Sequence, residues 1–210
     1  MIERQPIGIF DSGIGGLTVA RAINDLLPNE SLLYFGDTAH LPYGEKSPEL
    51  IRRYSSRITQ HLVESGCKAI VVACNSASSN AIEAIVKAAG PNMPVIDMVT
   101  PVIRSISAED GCQSVGLIGT RATIASGLYG ETMNQLNSNI TLVSRATPLL
   151  ASAIEEGFFN DSIPGAVLEA YFADDSFKHI DSMILGCTHY PLVRENVQAF
   201  LPKGVNVIDT

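Results

Sequence analysis

An apolar run leads into a polar turn at Ala69-Ile70-Val71-Val72-Ala73-Cys74-Asn75-Ser76. A continuous apolar run of this length is typical of a strand that is covered on both faces. The residues from Ala77 to Ala89 then favour a helix. The same order returns in Met183-Ile184-Leu185-Gly186-Cys187-Thr188-His189, after which Pro191 suits the first turn of a helix. Two strands that each end at a cysteine are therefore the centre of the prediction.

Outward from these two stretches, short apolar runs alternate with helical patterns along the chain. Helical spacing is clear at Ile51, Tyr54, Ile58 and Leu62, and Leu17 to Leu27 is rich in helix formers. The runs that predict strands are Ile7–Phe10, Leu32–Phe35, Ala69–Ala73, Val95–Met98, Val115–Ile118, Ile140–Val143, Met183–Leu185 and Val205–Ile208. Such alternation predicts an α/β protein whose mostly parallel sheets are flanked by helices.

The organisation into domains is suggested by two interruptions of this pattern. The alternation of strand and helix patterns is interrupted at Pro91-Asn92-Met93-Pro94, and it restarts after Asp110-Gly111. We predict two similar α/β domains, with a boundary near residue 98 and the active site in the crevice between them. A single doubly wound sheet of eight strands is the alternative.

Composition excludes several classes of protein. In 210 residues, 46% are hydrophobic and 17% charged, which indicates a globular chain rather than a disordered one. The net charge of −8 and the absence of a basic run argue against a nucleic-acid surface. No apolar run is long enough for a transmembrane helix, and no signal peptide precedes the first strand, so we expect a cytoplasmic protein without a membrane partner.

The cysteines fall into two groups. Cys67, Cys74, Cys112 and Cys187 form no CxxC pair, so free thiols are expected, and Cys67 and Cys112 are interpreted as structural. Cys74 and Cys187 each follow a strand, where parallel sheets place their ligands. A helix that begins just beyond such a thiol is expected to lower its pKa.

Two further turns are suited to close backbone contact with a ligand. Asp11-Ser12-Gly13-Ile14-Gly15-Gly16 follows the first strand, but it matches neither the dinucleotide fingerprint nor the P-loop. An anionic group smaller than a nucleotide is the better match. Pro42-Tyr43-Gly44, after the second strand, is a similar candidate for backbone N–H contacts.

The residues alone leave several chemistries open. Two thiols across a crevice suit disulfide exchange, acyl transfer by Cys187 with His189, or proton transfer on both faces of one carbon. The last is preferred, because disulfide exchange usually uses adjacent cysteines and acyl transfer leaves Cys74 without a role. A zinc site from Cys74, Cys187 and His189 has no evident fourth ligand, and no lysine sits where pyridoxal phosphate would need it, so no metal and no cofactor are expected.

The longer motifs resemble those of bacterial glutamate racemases. The resemblance runs from residue 7 to the last residue. The stretches that carry it are Phe10–Thr18, Tyr34–Thr38 with Pro42–Gly44, Val72–Asn75, Ile118–Thr120 with Ala122–Ile124, and Leu185–Leu192. It implies a cofactor-independent racemase that interconverts L- and D-glutamate, supplies the D-isomer for peptidoglycan and forms a homodimer. An aspartate racemase of the same superfamily and a cysteine hydrolase based on Cys187 and His189 are the alternatives.

The resemblance also implies roles for individual residues. Cys74 is expected to face D-glutamate and Cys187 to face L-glutamate. The catalytic set that it implies is Cys74, Cys187, Asp11, His189 and Glu155. The substrate-binding set is Asp11, Ser12, Pro42, Tyr43, Gly44, Cys74, Asn75, Ser76, Thr120, Thr188 and His189. His40 and His61 match no position with a role, and His61 is interpreted as structural.

One expectation concerns the domain limits. In the resembling family the chain returns to its first domain after the second. We therefore expect residues 1–97 to form a first domain that a segment beyond Thr210 completes, residues 98–207 to form the second domain, and residues 208–210 to begin the return.

Overall fold

The structure, a computed structural model, describes residues 5–109, 111–160 and 162–210. The chain divides into two compact units, the first ending at Met98 and the second beginning at Val99. Asp110, where the sequence suggests a restart, lies outside the described residues. The expected completion of the first unit by a further segment stays a prediction.

The first unit is a parallel sheet with helices between its strands. Its strands lie in the order β2-β1-β3-β4. Its elements are β1 (Ile7–Asp11), α1 (Leu17–Leu26), β2 (Leu32–Gly36), a 3₁₀ helix (Tyr43–Glu45), α2 (Pro48–Glu64), β3 (Ala69–Val72), α3 (Asn75–Ala89) and β4 (Val95–Ile96).

The second unit repeats this plan. Its strands lie in the order β6-β5-β7-β8 and are again parallel. Its elements are α4 (Thr100–Ser107), β5 (Ser114–Gly119), α5 (Arg121–Ala125), α6 (Leu128–Leu136), β6 (Thr141–Ala146), α7 (Pro148–Glu155), α8 (Ile163–Tyr171), β7 (Ser182–Gly186), a 3₁₀ helix (Tyr190–Val193), α9 (Arg194–Phe200) and β8 (Asn206–Asp209).

The described residues thus form two four-stranded sheets, and the prediction of an α/β fold with two separate parallel sheets is confirmed. The single eight-stranded sheet was the wrong alternative. Each predicted strand has an observed counterpart, although β4 ends at Ile96 rather than at Met98.

The continuous apolar runs are explained by burial on both faces of the sheet. In β7, Met183 and Leu185 belong to one buried cluster, whereas Ile184 between them belongs to another. Successive side chains of a strand point to opposite faces, so both faces of this sheet are covered. The helices follow their pattern too, since Ile51 and Leu62 of α2 are fully buried. Over the described residues, no helix has the length and apolar character needed to cross a membrane.

Candidate active site

The two candidate thiols occupy the same place in the two sheets. Cys74 comes two residues after Val72, the end of β3, and Cys187 directly follows Gly186, the end of β7. β3 and β7 are both third in their strand orders, beside the first strand of their unit. The carboxyl end of a parallel sheet is where ligands bind, so the topology gives each unit one thiol at a ligand-binding edge.

Cys74 is the N-cap of α3. Its Sγ accepts a hydrogen bond from the backbone N–H of Ala77 at 3.4 Å, and the residue is 4% exposed. Burial, followed by the negative charge of Asp11, raises the pKa of the Cys74 thiol to about 12, although hydrogen bonds from Ala77 and Ser12 oppose that rise. The expectation of a lowered pKa is therefore wrong for the free protein. Desolvation outweighs the helix terminus, and the thiol keeps its proton at neutral pH.

Asp11 closes the glycine-rich turn beside this thiol. It is fully buried, and its Oδ2 accepts hydrogen bonds from the N–H groups of Gly13 and Gly16, each at 3.1 Å. A Cβ on Gly16 would lie 2.6 Å from the Cβ of Asp11, so only glycine allows this approach. The hydroxyl of Tyr34 donates to the carbonyl of Gly13 at 2.9 Å and holds the turn from the next strand.

Tyr43 and Gly44 are buried in the loop after β2, whereas Pro42 is exposed. The Tyr43 hydroxyl donates to Oδ2 of Asp37 at 2.5 Å. Burial, then the hydrogen bond to Asp37 and the negative charges of Asp37 and Asp11, raise the pKa of Tyr43 well above its ordinary value, so it stays a donor. The first unit therefore brings Asp11, Tyr43 and Cys74 together.

Asn75 and Ser76 form the first turn of α3, directly after Cys74, and both are buried. The carbonyl of Ser76 accepts a hydrogen bond from the side-chain amide of Asn80 at 2.9 Å. The backbone N–H groups of the first turn and the positive end of the dipole of this helix lie at the same place. An anionic group of a ligand would be stabilised there.

In the second unit, Cys187, His189 and Glu155 form a hydrogen-bonded chain. Sγ of Cys187 lies 3.6 Å from Nδ1 of His189, and Nε2 of His189 contacts the Oε2 of Glu155. An ionised carboxylate only accepts, so Nε2–H donates to Glu155, and the tautomer with its proton on Nε2 presents the lone pair of Nδ1 to the thiol. His189 is thereby placed to take the proton of Cys187.

The turn after Cys187 differs from the predicted helix. A 3₁₀ helix, Tyr190–Val193, comes first, and α9 begins only at Arg194. Pro191 does lie in the first helical turn, as predicted. Tyr190 is fully buried and its hydroxyl contacts Oγ1 of Thr147 at 2.7 Å and donates to the Thr147 carbonyl at 3.0 Å. A long-range contact, between Tyr190 and a residue 43 positions earlier in the chain, thus holds the turn.

Thr120 and Thr188 are both buried at strand ends of this unit. Thr120 is the N-cap of α5, and its Oγ1 accepts from the N–H of Thr123 at 3.2 Å. Thr188 lies between Cys187 and His189 in the turn after β7. The second unit therefore brings Glu155, Cys187, Thr188 and His189 to one strand end.

Four polar residues near these sites were not predicted from the sequence: Tyr34, Asp37, Thr147 and Tyr190. Each carries a hydrogen bond that fixes a turn at a strand end. Their positions in the sequence could have indicated two of them, since Asp37 directly follows β2 and Thr147 directly follows β6. Within the residues that the structure describes, no cluster of three His, Cys, Asp or Glu side chains is arranged to hold a metal ion.

Comparison with known proteins agrees with this architecture. A family model described as Asp/Glu/Hydantoin racemase matches residues 7–210. The glutamate racemase of Aquifex aeolicus is 44% identical over 204 residues, which cover 97% of this chain and 78% of that protein. A glutamate racemase of Thermus thermophilus is 44% identical over 208 residues, covering 99% of this chain and 76% of that protein.

A solved structure gives the same picture. The crystal structure of glutamate racemase from Francisella tularensis in complex with D-glutamate aligns with a TM-score of 0.91 at 39% identity, over 99% of this chain and 76% of that chain. The match of the family model over nearly the whole chain and the identity to these relatives lead to one conclusion. This chain belongs to the Asp/Glu/Hydantoin racemase family.

Proposed function

We propose that this protein is a glutamate racemase that interconverts L- and D-glutamate without a cofactor, using Cys74 and Cys187 as its two acid–base groups. The observation that carries the proposal is the topological equivalence of the two thiols, each at the end of the third strand of its sheet. Inversion of a stereocentre by proton transfer needs a base on one face of the α-carbon and an acid on the other. Two thiols from two similar units meet that need.

The protonated thiol of Cys74 in the free protein suits the direction from L- to D-glutamate. Cys187 gives its proton to His189 and acts as the thiolate base, while Glu155 holds the imidazole ring in the required tautomer. Cys74, whose pKa burial raises to about 12, holds the proton that it donates to the opposite face. In the reverse direction the two thiols exchange roles.

Negative charge develops on the substrate carboxylate as the α-proton leaves, and fixed donors stabilise it. The first turn of α3 supplies N–H groups and the positive end of a fifteen-residue helix. We assign Ser12, Asn75, Ser76 and the backbone of Pro42–Gly44 to substrate binding in the first unit. Thr120, Thr188 and His189 have this role in the second unit.

The cellular setting is part of the proposal. D-glutamate made by this enzyme supplies peptidoglycan precursor synthesis, and the enzyme works in the cytoplasm as a homodimer. The homodimer is checked by light scattering coupled to gel filtration. A monomer at the concentration of full activity would remove that part of the proposal.

The direct test is chiral analysis of L-glutamate incubated with purified, EDTA-dialysed protein in deuterium oxide. We expect D-glutamate that carries deuterium at the α-carbon from the first turnovers, while the remaining L-glutamate is largely unlabelled. Equal labelling of both pools at early times would contradict two separate bases. Full activity on aspartate and none on glutamate would overturn the assignment of glutamate as the substrate.

The chain of Cys187, His189 and Glu155 favours one alternative, a cysteine-nucleophile hydrolase, because a nucleophile, a base and an orienting carboxylate are in contact. A hydrolase forms a covalent acyl-enzyme and tolerates Cys74→Ala. A racemase loses turnover on that substitution. Intact-mass analysis during turnover with the Cys74→Ala variant separates the two functions.

A further inference from the structure

Asp37 is a buried carboxylate that the proposed chemistry does not use. Its side chain is 8% exposed, and its two oxygens have different partners. Oδ2 accepts from the hydroxyl of Tyr43 at 2.5 Å, and Oδ1 lies 2.7 Å from Nδ1 of His40. An ionised carboxylate only accepts, so both Tyr43 and His40 donate to it. Asp37 is held from two sides.

The backbone of Asp37 connects this group to the thiol site. Its N–H donates to the carbonyl of Asp11 at 3.0 Å, and Asp11 raises the pKa of the Cys74 thiol. The position of Asp37 is therefore fixed by the same strand end that carries Asp11. A side chain that binds Asp37 is tied to that strand end as well.

Tyr43 transmits this fixation to the substrate loop. It begins the 3₁₀ helix Tyr43–Glu45, is fully buried, and lies between Pro42 and Gly44, which we assign to substrate binding. The strong hydrogen bond to Asp37 fixes the position of the Tyr43 hydroxyl and ring. The direction of the backbone N–H groups of this loop is fixed with them.

His40 completes the arrangement from the solvent side. Its ring stacks on Tyr54 of α2, with centroids 4.0 Å apart, and its side chain is 45% exposed. The stack and the contact with Asp37 together leave the ring one orientation. We infer that His40 is a positioning residue, which acts through Asp37 and Tyr43 to hold the Pro42–Gly44 loop in its substrate-binding conformation.

This inference rests on the proposed function, because the loop is assigned to glutamate there. A loop that binds the side-chain carboxylate of glutamate, on which no charge develops during the reaction, contacts ground state and transition state alike. Its loosening weakens both to a similar extent, so KM rises and kcat changes little. A role in the proton transfer itself would instead lower kcat.

The test compares His40→Phe, which keeps a ring for stacking on Tyr54 but has no donor, with His40→Gln, which keeps a donor. We expect His40→Phe to raise KM for both L- and D-glutamate by about threefold to tenfold, the cost of one lost hydrogen bond of ordinary strength at a half-exposed side chain, with kcat within about twofold. His40→Gln recovers most of the loss. His61→Phe, at an exposed histidine of α2 that contacts Phe35, is the matched control and leaves both constants unchanged.

The route through Tyr43 is tested in a Tyr43→Phe background. There, adding His40→Phe changes KM by less than about twofold, because the hydroxyl on which His40 acts is gone. The inference is overturned if the effect of His40→Phe persists in that background, if His40→Gln is as impaired as His40→Phe, or if kcat falls while KM stays constant. An inactive wild-type protein that binds neither glutamate isomer overturns the proposed function and this inference together. An active wild-type protein in which the effects of His40→Phe and Tyr43→Phe simply add overturns the inference alone.

Discussion

The two units of this protein support equivalent thiols with different neighbours. The N–H of Asp37 donates to the carbonyl of Asp11, and the N–H of Thr147 donates to the carbonyl of Gly119, so these residues hold the same place beside the first strand of each sheet. Each also accepts a hydrogen bond from a buried tyrosine, Tyr43 in one unit and Tyr190 in the other.

The difference lies in what surrounds each sulfur atom. Cys74 caps a long helix and has a buried carboxylate, Asp11, as its charged neighbour. Cys187 precedes a 3₁₀ helix and has the imidazole of His189 as its partner. The fold therefore fixes where each thiol lies, whereas the charged or basic partner of the sulfur atom differs between the units.

The largest expected effect comes from replacing either thiol. Cys74→Ser and Cys187→Ser each keep the shape of the side chain but replace it with a much weaker acid. We expect each to lower kcat/KM by about 10³-fold or more in both directions, since one face of the α-carbon loses its proton carrier. Coupled assays of both enantiomers measure this loss. Cys67→Ser, at a buried cysteine of the first unit, is the control, and retention of a tenth of the activity by either catalytic variant would contradict equivalence.

A smaller loss is expected from the partners of Cys187. His189→Asn removes the acceptor of the Cys187 proton and should lower kcat by about 10²-fold. Glu155→Gln acts only through the orientation of His189, so about a tenfold loss is expected. The neighbouring Glu156, which is exposed, gives the matched control Glu156→Gln. Steady-state kinetics decide the matter, and equal losses for Glu155→Gln and Glu156→Gln would show that the contact with His189 has no catalytic consequence.

Strand positions were predictable because burial on both faces leaves a simple trace in the sequence. Ala69–Val72 and Ser182–Gly186 are such strands, and the polar residues after them mark the strand ends. The length of β4 was less predictable, since Ile96 is already exposed and the apolar residues Met98 and Val99 resume only after Asp97. Apolar character alone does not show where strand pairing stops.

The sites were less predictable because they depend on contacts that the sequence does not encode locally. Residues two apart need not face one another, yet Cys187 and His189 do, and Glu155 reaches His189 from 34 positions away. The pKa of Cys74 was wrongly predicted because the helix terminus is visible in the sequence, whereas full burial and the approach of Asp11 are not. That the residues assigned to substrate binding contact glutamate stays a prediction.

The pH dependence of the reactivity of Cys74 tests directly how the surroundings of this thiol affect its pKa. In a background with Cys67, Cys112 and Cys187 replaced by serine, only Cys74 reacts with iodoacetamide. Because its pKa is raised to about 12, the rate should still increase above pH 10. Asp11→Asn keeps an oxygen for Gly13 and Gly16 but removes the negative charge, so we expect the rise to move to lower pH.

The control for this profile is Asp25→Asn, at an exposed carboxylate of α1. Brief exposures to each pH followed by mass spectrometry give the rates. A profile that Asp11→Asn leaves unmoved, or moves to higher pH, would show that Asp11 does not set the charge state of this thiol.

The smallest expected effect concerns one glycine in the first strand of each unit. At both glycines, neighbouring side chains leave little room for a Cβ atom. A Cβ on Gly8 of β1 would lie 2.9 Å from Sγ of Cys67 and 3.2 Å from Cδ1 of Leu62. A Cβ on Gly116 of β5 would lie 2.8 Å from Cδ1 of Ile180 and 2.8 Å from Cε of Met183. The methionine end is flexible and able to withdraw, whereas the short Cys67 side chain has little freedom.

Gly8→Ala should therefore lower the free energy of unfolding of its unit by about 1–3 kcal/mol, and Gly116→Ala by less than about 1 kcal/mol. Amide hydrogen exchange in urea, read by mass spectrometry for β1 and β5 separately, gives both values even where the units unfold independently. The double variant Gly8→Ala/Cys67→Ala removes the sulfur and should be more stable than the sum of the two single effects predicts. If Gly116→Ala proves as costly as Gly8→Ala, or the double variant is merely additive, then the two strands are packed with equal rigidity and the contrast between the units is confined to their thiol sites.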